Sequence, residues 1–165
     1  MAFDCFMKFD GIPGESTDDK HKDWIEILSY SHGISQPASG SSSSGGGRSS
    51  QRCDHQDFTI VKTLDKASPK LALHCCNGQH IKKISLELCR ATGDKQKYME
   101  YVLEDAIVSG VRPGGSAQGG EALPLEEVSL SYGKISWVYT ATDHKTGKAA
   151  GDVKASWDLT ANKGG

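Results

Sequence analysis

The residues that could bind zinc or act as a thiol nucleophile are concentrated in two short stretches. They are His74, Cys75, Cys76 and His80 in "HCCNGQH", and Cys53 and His55 in "CDH". Zinc prefers thiolate and imidazole ligands, and a Cys beside a His can serve as a nucleophile. However, adjacent cysteines on a helix point about 100° apart, and the spacing matches no usual structural zinc pattern. We therefore predict thiols without metal here. An enzyme that uses a thiol or zinc at His74, Cys75 and Cys76 is an alternative.

Other motifs of catalysis are missing from the sequence. It contains no Gly-rich phosphate loop, no Gly-x-Ser-x-Gly, no His-Glu-x-x-His and no Cys-x-x-Cys. The acidic stretch "ESTDDKHKD", residues 15–23, lacks the periodic ligands of a calcium loop and is typical of a solvated turn. We predict that the chain has no catalytic, cofactor-binding or metal-binding residue and is not an enzyme.

The tryptophans offer a second alternative function. Trp24, Trp137 and Trp157 all fall in predicted strands, where they could form a platform for stacking sugars. Large aromatic side chains are more common in β-sandwich cores. A monomeric carbohydrate-binding β-sandwich therefore remains an alternative.

Composition limits the partners and the compartment. The chain has 165 residues, 19 basic and 21 acidic side chains and a net charge of -2, so no basic surface favours nucleic acid or anionic lipid. No segment is apolar enough for membrane insertion. Five cysteines without regular spacing predict reduced thiols rather than a disulfide framework. The length favours one domain, residues 1–165.

The first ten residues do not resemble a secretory signal. Asp4, Lys8 and Asp10 interrupt any apolar run. We expect the chain to be made and folded in the cytoplasm. If it leaves the cell, it must use a route that needs no signal peptide.

Alternating apolar and polar residues predict mainly β-structure. "FDCFMKF" places Phe3, Cys5, Met7 and Phe9 on one face, and further strands are predicted at 24–33, 57–64 and in "VKASWDL" near the end. In residues 125–139 the apolar phase changes around Gly133, which predicts a β-bulge within one strand.

One helix interrupts the alternation of apolar and polar residues, and one long hairpin continues it. Ser68 is a good N-cap, Pro69 suits the first helical position, and Gly78 is a stop signal. Residues 81–111 alternate in two arms around Thr92, Gly93 and Asp94, which predicts a hairpin. Together these elements predict an antiparallel two-sheet β-barrel or sandwich with one short flanking α-helix.

A Ser/Gly-rich stretch, "ISQPASGSSSSGGGRSSQRCDHQDF", separates two predicted strands. Its composition cannot form a packed core, so we predict a long flexible loop at about 34–56. Lengthening a loop adds little closure entropy, about 0.6 kcal/mol per doubling, so the fold can tolerate it.

Several stretches together resemble the Hcp family, the inner-tube proteins of bacterial type VI secretion systems. They are "MAFDCFMKFDGIPGESTDDKH", "YSHGISQ", "DFTIVKTLDKASPKL", "GDKQKYMEYVLEDAIVSGV", "LPLEEVSLSYGKISWVY" and the terminal "WDL". They follow the order of the family over nearly the whole chain. The resemblance implies a β-barrel of two sheets and a homo-hexameric ring. Such rings would stack into a tube inside a contractile sheath, tipped by a spike protein, and carry secreted effectors in the lumen.

The resemblance also implies a position in the tube for particular residues. The ring-stacking residues would be Ala91, Thr92 and Gly93 on one face and Thr160 and Ala161 on the other. Ser31 would face the lumen. The loop residues Ser39, Gly40, Ser44, Gly47 and Arg48 would contact the next ring. Export with the tube would account for a secreted protein that lacks a signal peptide.

Overall fold

The computed structural model describes residues 2–37, 52–91, 93–120, 123–143 and 145–165. In these ranges there are twelve strands and one helix. They are β1 (Phe3–Phe9), β2 (Ile25–Glu26), β3 (Ser29–Ser31), β4 (Ile34–Ser35), β5 (Asp54–His55), β6 (Phe58–Thr63), α1 (Ser68–Asn77), β7 (Ile81–Arg90), β8 (Lys97–Gly114), β9 (Leu125–Ser131), β10 (Lys134–Thr142), β11 (Ala149–Asp158) and β12 (Lys163–Gly164). Every strand pair is antiparallel. The predicted mainly antiparallel β-fold with one short helix is confirmed.

The long strand β8 belongs to two sheets. The first sheet has the order β12-β11-β10-β8-β7-β1-β2, and the second is formed by β3, β6, β9 and the C-terminal half of β8. Strands β4 and β5 form a separate two-stranded ribbon. In the described ranges no strand pair closes a sheet on itself, so the predicted barrel is not confirmed.

The chain passes between the two sheets near Gly133. Glu104 on β8 lies opposite Lys134 on β10, whereas Ile107 lies opposite Ser131 on β9. At this point Asp105 has a positive φ of 50°, and the Gly133 N–H donates to the carbonyls of Glu104 and Asp105, both at 3.1 Å. The predicted bulge at Gly133 is therefore wrong. The phase change marks the end of β9 and the start of β10 in the other sheet.

The single strand predicted at residues 24–33 is divided in the structure into two short strands, which belong to different sheets. The Ile27 N–H donates to the Cys5 carbonyl at 2.9 Å, and the next N–H, that of Leu28, donates to the Val61 carbonyl at 2.8 Å. Consecutive backbone groups thus bond to β1 and to β6. Strand β2 pairs with β1, and β3 pairs with β6.

Helix α1 begins and ends near the predicted residues, but its capping differs. Ala67 is the N-cap, without a side-chain capping bond, and Gly78 ends the helix in the left-handed conformation at φ 65°. Ser68 is not the N-cap because its hydroxyl is used elsewhere: it donates to Glu126 Oε2 at 2.7 Å and accepts from Lys62 Nζ at 3.1 Å. In the described parts of the chain, no helix is long and apolar enough to cross a membrane.

The Ser68 contacts belong to a group of four side chains, which we call the Lys62 cluster (Lys62, Asp65, Ser68 and Glu126). At its centre is a buried ion pair between Lys62 and Glu126. Lys62 is 0% exposed and Glu126 is 2% exposed, and their Nζ and Oε2 atoms lie 2.7 Å apart. Asp65 Oδ1 lies 3.0 Å from the same Nζ. The cluster joins the start of α1 to β6 and β9 of the second sheet.

Core side chains follow the alternation of the strands, with two departures on β1. Cys5, Met7 and Phe9 are buried as predicted, whereas Phe3 is 44% exposed. Phe6, on the opposite face, is only 4% exposed because the segment 13–24 covers that face of the first sheet. The predicted solvated turn at 15–23 is therefore partly buried. Ser16 and His21 are both almost inaccessible to solvent.

Candidate functional site

The residues predicted to mediate ring stacking lie at two opposite ends of the first sheet. Ala91 and Gly93 are exposed in the turn that joins β7 to β8, and Gly93 has φ 71°. Thr160 and Ala161 are exposed just after β11, where both N–H groups donate to Asp158 Oδ1 at 2.9 and 3.0 Å. The register places Asp158 opposite Lys134, and Lys134 opposite Glu104. These two ends are therefore separated by the β8 segment 97–104, roughly 20 Å of strand. Thr92 lies outside the described residues.

The predicted inter-ring residues Ser39, Gly40, Ser44, Gly47 and Arg48 lie outside the described residues. The segments on either side of them are ordered as a ribbon, because Ile34 pairs with His55 and Ser35 pairs with Asp54. The predicted flexible loop of about 34–56 thus includes two short strands at its ends.

A cluster of aromatic residues anchors this ribbon to the second sheet. The Tyr132 hydroxyl lies 2.6 Å from His32 Nε2 and 2.8 Å from His55 Nδ1. One hydroxyl can donate to one imidazole and accept from the other, so both contacts are satisfied with neutral rings. Burial lowers the pKa of His32 and of His55, which favours the neutral form of each. No local sequence pattern predicts this contact, since Tyr132 is 100 residues from His32.

Ser31, the predicted lumen residue, is the last residue of β3 and is exposed. It pairs with Thr59 in the register of β3 and β6. The preceding Tyr30 is half-buried and stacks on Phe58, with ring centroids 5.9 Å apart. Ser31 therefore projects from the face of the sheet opposite to Tyr30.

The predicted cluster on α1 is not brought together. His74 Nδ1 contacts the Lys70 carbonyl of its own helix at 2.8 Å, and Cys76 is exposed. Cys75 packs at the margin of the core. His80 instead contacts Asp105 at 2.7 Å. In the described residues these groups do not share a site, which disfavours the thiol or zinc enzyme at this position.

The three tryptophans do not form one exposed platform. Trp24 precedes β2 rather than lying in a strand, and its ring lies nearly perpendicular to that of His21, with centroids 4.8 Å apart. Trp137 and Trp157 lie on β10 and β11 and pack against the core. This arrangement favours a structural role for them over the sugar-binding alternative.

A different cluster, absent from the sequence predictions, lies under the segment 13–24. We call it the His21 cluster (Asp18, His21, Glu87 and Cys89). His21 Nδ1 lies 2.8 Å from Asp18 Oδ2, and Nε2 lies 2.6 Å from Glu87 Oε2. Cys89 Sγ lies 3.9 Å from Nε2. The His21 ring also stacks on Phe6, with centroids 4.3 Å apart, so several contacts fix its orientation.

The pKa values of Asp18 and Cys89 in this cluster shift in opposite directions. The hydrogen bond from His21 and the adjacent Lys95 lower the pKa of Asp18 to about 2, although burial opposes this shift. Burial raises the pKa of Cys89 to about 11, and the nearby carboxylates of Glu87, Asp18 and Asp4 add to the effect. Asp18 is therefore a carboxylate and Cys89 a neutral thiol at pH 7.

The strongest sequence signal for the His21 cluster was Glu87-x-Cys89. Residues two apart in a strand face the same side of the sheet. His21 lies 66 residues away from Glu87 and is placed beside it only by the fold. Local spacing could not have found the complete set.

An exposed apolar strip lies on the β10–β11 hairpin. Tyr139 is 49% exposed, and Val153, directly opposite, is 69% exposed. Met99 on β8 continues the same row on the other side of Tyr139. Beyond Ser156, the outer edge of β11 from Ala149 to Ala155 has no neighbouring strand in the described part of the chain. Such a strip and such an edge are typical of surfaces that are covered on assembly.

Comparison with known proteins identifies the fold. The sequence model of a family described as "Type VI secretion system effector, Hcp" matches residues 6–139. The protein named hcp1 of Pseudomonas aeruginosa is 35% identical over 163 residues, which is 98% of each chain.

Solved structures agree with this match. One, described as a type six secretion system protein, is 34% identical, with a TM-score of 0.93, over 99% of this chain and 100% of that chain. Another, Hcp1 from Salmonella typhimurium, is 35% identical, with a TM-score of 0.81, over 99% of each chain. Because sequence and fold both match over nearly the full length, the chain belongs to the Hcp family of secreted structural proteins of the type VI secretion system.

Proposed function

We propose that this protein forms a homo-hexameric ring and that the rings stack into a tube, which a contractile sheath and a spike protein help to expel from the cell. The tube carries secreted effectors in its lumen, and no side chain is catalytic. The main support is family membership over nearly the whole chain. Within this proposal, the 165 residues form one domain that closes as a two-sheet barrel, and the chain remains in the bacterial cytoplasm until the system fires.

The exposed strip on β10 and β11 supports a contact between subunits within the ring. Tyr139 and Val153 are large apolar residues that face each other in the register and are both exposed in the single chain. Burying them against a neighbouring subunit would remove apolar surface from water at about 25 cal/mol per Å². A head-to-tail contact that repeats by rotation closes into a ring.

One further observation supports stacking of the rings. Ala91 and Gly93 lie at the opposite end of the first sheet from Thr160 and Ala161. Two unlike ends can meet when one ring is placed on the next. We include Thr92, the loop residues 39–48 and the lumen position of Ser31 in this proposal on the basis of the family resemblance.

Mass in solution tests the ring. Six chains of 17.7 kDa would give a particle of about 106 kDa by light scattering. The substitution Val153→Asp should shift the mass towards the monomer. Leu125→Asp, at an exposed apolar position on the second sheet, serves as a control for added surface charge. A parent protein that remains a monomer across micromolar concentrations would contradict the proposed ring.

Disulfide crosslinking tests the stacking faces. Cysteines introduced as Gly93→Cys and Thr160→Cys should join one ring to the next under oxidation, giving species larger than one hexamer. The single variants should not form a ladder of that kind. Crosslinks confined to one ring would show that the two segments do not meet across the stacking face.

A further inference from the structure

The His21 cluster has the donor set of a transition-metal site. Three of its donor atoms, His21 Nε2, a Glu87 carboxylate oxygen and Cys89 Sγ, converge within 4.8 Å of one another. They supply one nitrogen, one oxygen and one sulfur. Zinc accepts all three kinds, whereas calcium and magnesium prefer oxygen alone. We propose that these three side chains bind one zinc ion.

Small movements would give the bond lengths that zinc requires. Bonds of about 2.0 Å to nitrogen and oxygen and about 2.3 Å to sulfur place tetrahedral ligand atoms roughly 3.3 to 3.6 Å apart. At present Nε2 and Oε2 are 2.6 Å apart, and Nε2 and Sγ are 3.9 Å apart. A shift of the Glu87 oxygen by about 1 Å separates it from Nε2, and rotation of the Cys89 side chain brings Sγ towards both, since all three donor atoms already lie within 4.8 Å of one another.

The strand and the covering segment hold the donors in place. Glu87 and Cys89 lie on the same face of β7, and β7 is paired with β1 on one side and with β8 on the other. The segment that carries His21 is fixed by two backbone bonds, from the His21 N–H to the Asp18 carbonyl and from the Trp24 N–H to the His21 carbonyl, both at 3.1 Å. The donors therefore do not need a large conformational change to bind the metal.

Asp18 completes the arrangement as an outer carboxylate. Its Oδ2 accepts from His21 Nδ1 at 2.8 Å, which leaves Nε2 directed at Glu87 and Cys89. Histidine ligands of zinc usually donate their second N–H to such a carboxylate, and this contact orients the ring. Lys97 Nζ lies 3.6 Å from the other Glu87 oxygen, Oε1, so Oε2 remains available to the metal.

A cleft reaches this site from the side of Glu87. It has a volume of about 260 Å³ and is lined in part by Trp24, Glu87 and Glu100. Glu87 is 17% exposed, so the metal can enter on its side, and water from the cleft can supply the fourth ligand. Zinc binds the Cys89 thiolate and a lone pair on Nε2, so protons that these atoms carry are released to solvent on binding.

The experiment uses the untagged, assembled protein. The more accessible thiols are first removed with Cys53→Ser, Cys75→Ser and Cys76→Ser, none of which belongs to the His21 cluster. Zinc content is measured after dialysis, and zinc affinity by competition with a chromophoric chelator. We expect one zinc per chain and a higher melting temperature with zinc. Cobalt(II) added to the same protein should show a sulfur-to-metal charge-transfer band, a readout that requires no substitution in the site.

Substitutions then identify the ligands. Cys89→Ser and Glu87→Gln should each lower zinc affinity by at least about tenfold, and Asp18→Asn by about tenfold through the orientation of His21. Glu100→Gln, which lines the same cleft, should leave the affinity unchanged. Circular dichroism of each metal-free variant checks that it folds. The proposal is wrong if the protein without the more accessible thiols binds no stoichiometric zinc and gives no charge-transfer band, or if Cys89→Ser binds zinc as tightly as its parent.

Discussion

The Lys62 cluster and the His21 cluster both bury charged groups, but they differ in how completely those groups are enclosed. Lys62 and Glu126 are inaccessible to solvent, and Asp65 and Ser68 complete their contacts. In the His21 cluster, Glu87, which accepts from the central imidazole, keeps 17% of its surface, and a buried thiol lies beside that imidazole. The outer carboxylates Asp18 and Asp65 do not differ, since each keeps 11%. A closed set of oxygen and ammonium groups can only stabilise the fold. A partly open set that includes nitrogen and sulfur can also accept a metal.

The largest loss of stability is expected when one charged partner is removed from the Lys62 cluster. Glu126→Leu leaves Lys62 buried beside the single carboxylate of Asp65, and we expect it to lower the free energy of unfolding by about 3 kcal/mol. The same substitution at Glu87 should cost less, because Glu87 keeps 17% of its surface and water can replace part of its contact with His21. Urea unfolding of both variants at one protein concentration measures the difference.

The control for this prediction removes both charges. Lys62→Met combined with Glu126→Leu should recover most of the stability that Glu126→Leu loses, since no uncompensated charge remains. If the double variant is as unstable as the single one, lost packing rather than the unpaired charge explains the effect. Equal losses at Glu87 and Glu126 would remove the distinction between the two clusters.

Acid titration gives a smaller effect that is specific to the His21 cluster. The pKa of Asp18 is lowered from 3.8 to about 2, first by the hydrogen bond from His21 and then by Lys95. The unfolded chain therefore binds more protons in this range, so the stabilisation by Asp18 is complete above about pH 4 and is lost as the pH falls towards 2. Unfolding of the parent and of Asp18→Asn should differ most above pH 4 and converge near pH 2. A constant difference from pH 2 to pH 6 would contradict the lowered pKa.

The smallest change in the free energy of unfolding is expected when thiols outside both clusters are substituted. Cys76 is exposed, so Cys76→Ser should change the free energy of unfolding by less than about 0.5 kcal/mol. Cys75 packs at the core margin, and Cys75→Ala should cost about 1 kcal/mol. Neither substitution should alter the mass of the proposed ring. Loss of the ring in Cys76→Ser would indicate that this face of α1 is a subunit contact.

Local patterns in the sequence predicted the elements better than their connections. Alternation identified β1 and the long β7–β8 hairpin, and Pro69 and Gly78 marked the limits of α1. The errors occurred at Gly133 and at Ile27, where the chain leaves one sheet for the other. A period of two describes the faces of one strand, but it does not indicate which sheet that strand joins.

The two buried clusters could not be predicted either, because their contacts join residues that are distant in the sequence. Lys62 has the local pattern of an exposed strand residue, and only its register with Glu126 across β6 and β9 explains its burial. Ser68 has the pattern of an N-cap, but the nearby Glu126 takes its hydroxyl as a hydrogen-bond donor. His21 lies in a stretch that is typical of turns, although Phe6 and Glu87 bury it. In each case a residue distant in sequence determines the outcome.

Strand β8 has a consequence for the way in which the chain folds. It supplies pairing partners to β7 and β10 in one sheet and to β9 in the other, so neither sheet can be completed before this strand is in place. Other pairs, such as Phe3 with Arg90, also join residues far apart in the sequence. Chains dominated by such distant contacts fold slowly, typically in milliseconds to seconds. We therefore expect both sheets to form and to unfold in one cooperative transition, without a stable half-folded chain that exposes the edge of β8.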